Sequence, residues 1–393
     1  MTDRASHLVV AFNFAPFTDG SAVTIAKRIV EAGHLVDVIS ADLSAIRTAD
    51  DQLQDFVGPY IGEHAMVRPV IRFAAQDSLR DFTKRGLAVA EARRLDPYET
   101  VYSRSMWPHS HFLAAQIRAR GLADRWTAEF SDPVLWHVDG EPRQSGPLEI
   151  GPQEAALLRQ LGTPQQRLLL DRQTVLAWTQ FLPFFLADQI VFTNEQQHTV
   201  MLNDLPEQLR DDVFKRSTVS EHPTPPAELY EPAGQRPQDD TRFRIGYFGT
   251  FYANRGAADF LEALSMLTDD ERKQIVLDVY AEKADDLRRA ARALDVVECV
   301  NIRKPLPYRE FLRQCNAYDA LLVTDIATSP FSVPSPFLPS KYSDYAGSRT
   351  PIFSISIPGS PLDTKTTKWR AEIGNSASIR RSLAEMAKSV HIK

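Results

Sequence analysis

Lys341 and Asp344 stand one helical turn apart in Leu338-Pro-Ser-Lys341-Tyr-Ser-Asp344-Tyr-Ala-Gly347. An apolar strand, Ala320–Thr324, and a Pro/Ser-rich loop precede this stretch, and a second apolar run, Pro351–Ile355, follows it. A loop that turns into a helix on Ser340-Lys341 presents backbone N–H groups and an ammonium, a combination that suits a phosphate. Asp344 shares a helix face with Lys341, where its carboxylate can accept hydrogen bonds from sugar hydroxyls.

The elements that must carry these residues alternate strand and helix. Leu8–Phe12 reads as a strand, Asn13–Gly20 as a turn-rich loop, and Ser21 as the cap of a helix over Ala22–Ala32 that Gly33 ends. Leu35–Ile39 is the next strand, and the set makes a right-handed βαβ unit of a parallel sheet. Thr100–Ser103, Trp126–Phe130 and Gln189–Thr193 are further strands, with a helix over Phe112–Arg120 and a long one from Gln165 to Ala187. Asp139–Thr163, rich in Gly, Pro and Gln, reads as an insertion.

Residues Pro223–Thr241 have linker composition and divide the chain. The alternation then restarts, with strands at Phe243–Phe248, Ile275–Tyr280, Val297–Ile302 and Ala320–Thr324. Helices are expected over Gly256–Leu267, Asp285–Leu294 and Tyr308–Asn316, and helical periodicity returns over Ile379–Val390. The expected domains are thus 1–222, a linker 223–241, 242–378, and a C-terminal helix 379–393 with the option of packing back on the first domain. Two doubly wound α/β sheets facing each other would form a cleft, with ligands at the carboxyl ends of the strands.

A chain of 393 residues exceeds one ordinary core, in keeping with two domains. Its 43% hydrophobic and 24% charged residues are those of a globular protein, and a net charge of −6 argues against a general nucleic-acid binder. Cys299 and Cys315 lie in apolar stretches, as buried thiols of a reducing compartment do, and offer no zinc pattern. No apolar run reaches the roughly 20 residues of a membrane span, and no leader-like segment precedes the first strand. A cytoplasmic protein is expected, either free or peripheral at the inner face of the membrane. The second option comes from 68–94, where Arg72, Arg80, Lys84, Arg85, Arg93 and Arg94 alternate with Phe73, Leu79, Phe82 and Leu87. A basic amphipathic helix can lie on anionic lipid, although a solvated face of a packed helix has the same pattern.

Three segments together resemble GT-B glycosyltransferases, in particular the family 4-like bacterial enzymes. They are Phe14-Ala-Pro-Phe-Thr-Asp-Gly-Ser-Ala22, Arg244-Ile-Gly-Tyr-Phe-Gly-Thr-Phe-Tyr-Ala-Asn-Arg-Gly256 and Pro339-Ser-Lys-Tyr-Ser-Asp-Tyr345. The resemblance implies two Rossmann-like domains and transfer of a sugar from a nucleoside diphosphate donor, without a cofactor or bound metal. The acceptor would be a saccharide, a lipid-linked intermediate or a small molecule. Arg255 and Lys341 would stabilise the leaving diphosphate. Gly249 and Thr250 would let the backbone approach it, with Ser340 beside Lys341 and Gly20 on the first domain. Asp344 matches the family's ribose-binding carboxylate, and Glu282, Ile302 and Arg303 fall at the nucleobase pocket. Asp132, ending a strand, would act as base toward an acceptor hydroxyl. His109 is a second catalytic candidate. Arg104, His109 and His111 would hold the acceptor.

The chain departs from the family at Pro336, where many members carry a second acid. That leaves the stereochemical outcome open, with Asp325 a nearby substitute. Two other readings stay open. One is an epimerase or phosphorylase on the same fold, and the other is a non-catalytic GT-B-like scaffold.

Overall fold

The computed structural model describes residues 5–93, 96–236, 241–249, 251, 256–326, 331 and 333–390. By internal contacts the chain divides into two units, Met1–Pro223 and Thr224–Lys393.

Among the described residues, the first unit holds seven strands. They are β1 (His7–Ala11), β2 (Val36–Ala41), β3 (Ile61–Val67), β4 (Tyr98–Ser105), β5 (Ala123–Phe130), β6 (Gln189–Phe192) and β7 (Ser217–Val219). They form one parallel sheet in the order β3-β2-β1-β4-β5-β6-β7. Leu8 pairs with Asp37 on one side of β1 and with Val101 on the other. The chain therefore winds outward through β2 and β3, then returns to the opposite side of β1 to place β4. That reversal sets a switch point at the carboxyl ends of β1 and β4.

The second unit repeats the plan with β8 (Phe243–Phe248), β9 (Ile275–Tyr280), β10 (Val300–Arg303), β11 (Ala320–Thr324), β12 (Ile352–Ser356) and β13 (Trp369–Glu372). Their order is β10-β9-β8-β11-β12-β13, again parallel, with the switch point between β8 and β11. Strands such as β8, β9 and β11 are buried at every residue, as expected of a parallel sheet covered on both faces. Each unit has its own core. Trp126, Trp178, Phe12 and Phe130 lie in the first; Phe260, Leu264, Ile245 and Phe353 lie in the second.

The first helix spans Gly20–Ala32 and is capped by Asp19, whose carboxylate accepts from Ala22 N at 2.8 Å. Ser21, expected as the cap, is buried one step inside. Asp19 sits three residues before Ala22, the spacing at which a side chain reaches an orphan N–H. Gly33 ends this helix at φ 71°, in the left-handed region. The long helix expected over Gln165–Ala187 is two helices, Thr163–Asp171 and Val175–Leu186, because Thr174 caps the second by accepting from Ala177 N.

Part of the expected linker is folded. Ala227–Tyr230 forms a 3₁₀ turn, Tyr230 is buried, and its hydroxyl donates to Asp344 O at 2.5 Å. Gly234 N donates to Arg313 O at 2.8 Å, so the segment belongs to the second unit. The C-terminal helix, Ser376–Ser389, packs on the helix Ala257–Ser265 and on β13 of that same unit. Its buried face of Ile379, Leu383, Met386 and Ala387 completes the second core, which differs from the expected packing on the first domain. Among the described residues no helix is long and apolar enough to cross a membrane.

Candidate functional site

Two groups of residues gather at the two switch points, one in each unit. In the second unit, β8 ends at Phe248 and Gly249 follows with φ 123°, which an L side chain rarely adopts. A Cβ built on Gly249 would lie 2.7 Å from Lys341 Nζ and 2.9 Å from Lys341 Cε. Glycine here lets the ammonium rest against the backbone at the end of β8. Lys341 opens the short helix Lys341–Ala346, and Ser340 precedes it. Residues 92 positions apart in sequence are thus brought into contact. Thr250 and Arg255 lie outside the described residues.

Asp344 is 6% exposed, not the open helix acid its position suggests. Tyr308 donates to Asp344 Oδ1 at 3.4 Å, and Tyr230 donates to the Asp344 carbonyl. Burial, and secondarily the Asp344 charge, holds both phenols protonated by pushing their pKa values up. A sugar hydroxyl that uses this carboxylate must share it with Tyr308. Next to it, Tyr345 is fully buried and its hydroxyl accepts from Phe248 N at 3.2 Å, which fixes the helix to the end of β8.

The expected base-pocket residues lie at the ends of β9 and β10. Arg303 is fixed through Nε to Asp278 Oδ1 at 3.1 Å. Asp278 is wholly buried and also accepts from Asn301, Tyr318 and Arg244. Ala281 N donates to Arg303 O at 3.1 Å, which sets exposed Glu282 close to Arg303. Ile302 pairs with Val279 on one side only, because β10 is the edge strand. Asp325 is buried, and one of its carboxylate oxygens accepts from Ile357 N and Ser360 Oγ, so it secures a loop.

In the first unit, Gly20 is exposed, but Asp19 already occupies the helix start and is itself paired with Arg47 at 3.2 Å. Arg104 is 3% exposed and fully engaged. It donates to Glu129 at 3.0 Å, to Ser21 at 2.9 Å, to Ser131 at 2.6 Å and to His222 Nε2 at 3.1 Å. Glu129 is 1% exposed and also accepts from Arg28 at 3.0 Å and Tyr102 at 2.9 Å. This geometry corrects the reading of Arg104 as a ligand for acceptor phosphate. It braces the ends of β4 and β5. Burial first, and then the Arg104 charge, pushes the His222 pKa well down, so its imidazole is neutral.

His109 and His111 are both wholly buried, which removes them from acceptor contact. His109 Nε2 lies 2.8 Å from Ser78 Oγ, which gives its own proton to Val70 O, so His109 is the donor. Its ring sits 4.0 Å from that of Phe12. His111 Nδ1 pairs with Ser103 Oγ at 2.8 Å. Burial lowers both pKa values to about 3. These histidines pack the core between helix and sheet.

Asp132 follows β5, is half-buried and makes no hydrogen bond or ion pair among the described residues. It lines a small pocket with Ser105, Met106 and Arg143. Arg143 was not anticipated, since nothing in the sequence of the insertion separates it from a solvated arginine. Glu129, an acid inside the apolar strand Trp126–Phe130, was a legible signal of a buried pair.

The basic stretch is a packed surface helix, Gln76–Arg93, with Leu79, Phe82 and Leu87 in the core. Its cations are mostly paired: Arg80 with Glu154 at 3.0 Å, Arg85 with Asp81 at 3.0 Å and Arg93 with Glu63 at 3.1 Å. Arg72, just before the helix, is paired with Asp77. Among the described residues there is no cluster of three acidic, His or Cys side chains suited to a metal ion.

No protein-family model and no curated protein matches the sequence. Solved structures do resemble it. HepE from Anabaena in complex with UDP-glucose is 11% identical, with a TM-score of 0.57 over 98% of this chain and 94% of that one. The trehalose-6-phosphate synthase OtsA is 11% identical with a TM-score of 0.60 over 98% and 94%. WaaG, a glycosyltransferase involved in lipopolysaccharide biosynthesis, is 12% identical with a TM-score of 0.53 over 97% and 90%. With both units built as parallel, doubly wound sheets, the chain has the GT-B fold.

Proposed function

We propose that this chain transfers a glycosyl group from a nucleoside diphosphate sugar to a hydroxyl of a saccharide, lipid-linked or small-molecule acceptor, with no bound metal. The observation that carries the reading is the contact of the Lys341 ammonium with Gly249 at the second switch point. A cation resting on a side-chain-free backbone turn, at the end of a parallel sheet, suits a diphosphate. The fold match adds support, since HepE is a structure with UDP-glucose bound.

In this reaction the bond from the anomeric carbon to the diphosphate oxygen breaks, and its electron pair leaves with the diphosphate. The acceptor oxygen forms the new bond to that carbon and gives up its proton. Lys341, with Ser340 and the Gly249 backbone, meets the developing negative charge, a role in which preorganised donors are most effective. Thr250 and Arg255 are assigned to the same diphosphate by resemblance. Asp344 is assigned to the ribose, and Ile302, Arg303 and Glu282 to the base. Asp132 is the candidate for the acceptor proton, because it is the carboxylate without a partner at the end of β5. Gly20 is kept as a close-approach position. A membrane contact through 68–94 is not part of this proposal, because most of the cations there are paired with acids of their own unit.

The test is a thermal-shift and calorimetric titration with UDP, GDP, ADP and dTDP, followed by donor turnover. At least one diphosphate should raise the melting temperature, since a ligand at 100 times its Kd stabilises the fold by about 2.7 kcal/mol. The Lys341→Ala variant should lose that shift. If none of the four binds, or if the variant binds unchanged, the reading is wrong.

A further inference from the structure

The insertion after β5 builds a pocket that the fold alone does not require. Residues Leu135–Arg143 form a short hairpin. Trp136 bridges Pro142 in antiparallel fashion, Arg143 N donates to Leu135 O at 2.8 Å, and His137 N donates to Glu141 O at 2.8 Å. The hairpin returns Arg143 to the carboxyl ends of β4 and β5. There Ser105, Met106, Asp132, Arg143 and Thr179 line a shallow recess, open to solvent, with room for about one water.

Two charged groups meet in this pocket without pairing. Arg143 donates through Nε to Trp136 O at 2.8 Å, and its two terminal nitrogens have no acceptor among the described residues. The carbonyl that holds it is itself secured. Trp136 Nε1 donates to Asp204 at 3.1 Å, and Gln180 donates to the same carboxylate at 2.7 Å. The guanidinium is thus fixed at its neck and left open at its fork. Asp132, in the same lining, also has no partner. A guanidinium and a carboxylate left apart in one pocket present a fork for an anion and an acceptor for a hydroxyl.

Resting on the glycosyl-transfer reading, we propose that the mouth of this recess, where the Arg143 fork and Asp132 lie open, receives an acidic acceptor saccharide. Its phosphate or carboxylate sits on the Arg143 fork, and one of its hydroxyls bonds to Asp132. The recess itself is too small to enclose a sugar, so the charged end and one edge of the ring lie across its mouth. Met106, 44% exposed at its lining, offers an apolar surface to the ring.

The full chain is titrated by calorimetry with glucose 6-phosphate, glucuronate and glucose, and separately with nucleoside diphosphates. One or both acidic sugars should bind and glucose should not; which acid binds tells phosphate from carboxylate. Arg143→Ala should weaken the acidic sugar by about 10- to 100-fold, the range of a charge-assisted pair, and Arg143→Lys by less. The far-ultraviolet spectrum of each variant shows that it is folded. As a second readout, the methyl NMR signal of Met106 in the wild type should move on titration with the acid that binds. Equal binding of glucose, an unmoved Met106 signal, or unchanged binding in a folded Arg143→Ala variant would overturn the proposal. If a diphosphate binds and neither acid does, the pocket assignment fails while glycosyl transfer stands. If an acid binds and no diphosphate does, the reverse holds.

Discussion

Lys341 Nζ occupies the space that the β-carbon of any other residue at Gly249 would crowd, at 2.7 Å. Because Nζ is the far end of a flexible chain, Gly249→Ala would displace the ammonium more than the fold. The positive φ of 123° adds a backbone penalty of about 1–3 kcal/mol. The expected result is a modest fall in melting temperature with a larger loss of diphosphate affinity. Parallel melting and calorimetry of the variant check both.

Lys341→Ala leaves the backbone as it is and removes the cation. If it meets the leaving diphosphate, kcat falls on the order of 10²–10³-fold, the scale for one transition-state donor. The KM for the donor rises as well, because the same ammonium holds the diphosphate before the bond breaks. Steady-state kinetics with the donor identified by titration would measure both changes.

Glu129→Ala leaves the buried Arg104 and the half-buried Arg28 without their shared carboxylate. Breaking a buried pair from one side costs about 3–5 kcal/mol. Urea unfolding followed by tryptophan fluorescence should show that loss; Trp126, on the same strand, serves as the reporter.

The buried histidines set an acid limit. His109 and His111 have pKa values near 3 when folded, against an ordinary 6.5. Between those values the unfolded chain binds more protons, so stability falls as pH drops from 6.5 toward 3. The slope is up to about 1.4 kcal/mol per pH unit for each histidine. Denaturant unfolding at pH 6.5 and 4.8, above most carboxylate titration, should show the loss. His111→Gln should flatten the slope by close to one proton.

Gly347→Ala probes the segment that leads into the second unit. A Cβ there would lie 2.7 Å from Tyr230 Cζ, and that ring is buried and rigid. Overpacking of this kind costs about 1–3 kcal/mol. The variant should unfold at lower urea and be cleaved sooner by protease within 224–236.

Much of the second sheet was legible from residues alone. Phe243–Phe248, Ile275–Tyr280 and Ala320–Thr324 match their strands end to end, because each is an apolar run with polar or glycine punctuation. β3, Ile-Gly-Glu-His-Ala-Met-Val, has its apolar residues split by Gly-Glu-His and none fully buried, so it does not declare itself, and β7 and β13 are only three and four residues long. The site was harder to read because its environment is assembled from afar. Asp344 looks exposed in its own helix, yet the tyrosines that enclose it stand 114 and 36 residues away. His109 and His111 suggested chemistry by residue type, but periodicity did not reveal that both rings turn inward. Arg104 read as a free loop cation because its carboxylate partner lies 25 residues on, in another strand.

The hydroxyl of Tyr230 grips the main chain of Asp344, and Tyr230 sits only a few residues beyond the point where the first unit ends. The main-chain position of Asp344 is thereby tied to the 3₁₀ turn Ala227–Tyr230, where the second unit begins. A single phenol, far from this helix in sequence, thus sets where the helix carrying Lys341 and Asp344 sits on its own sheet.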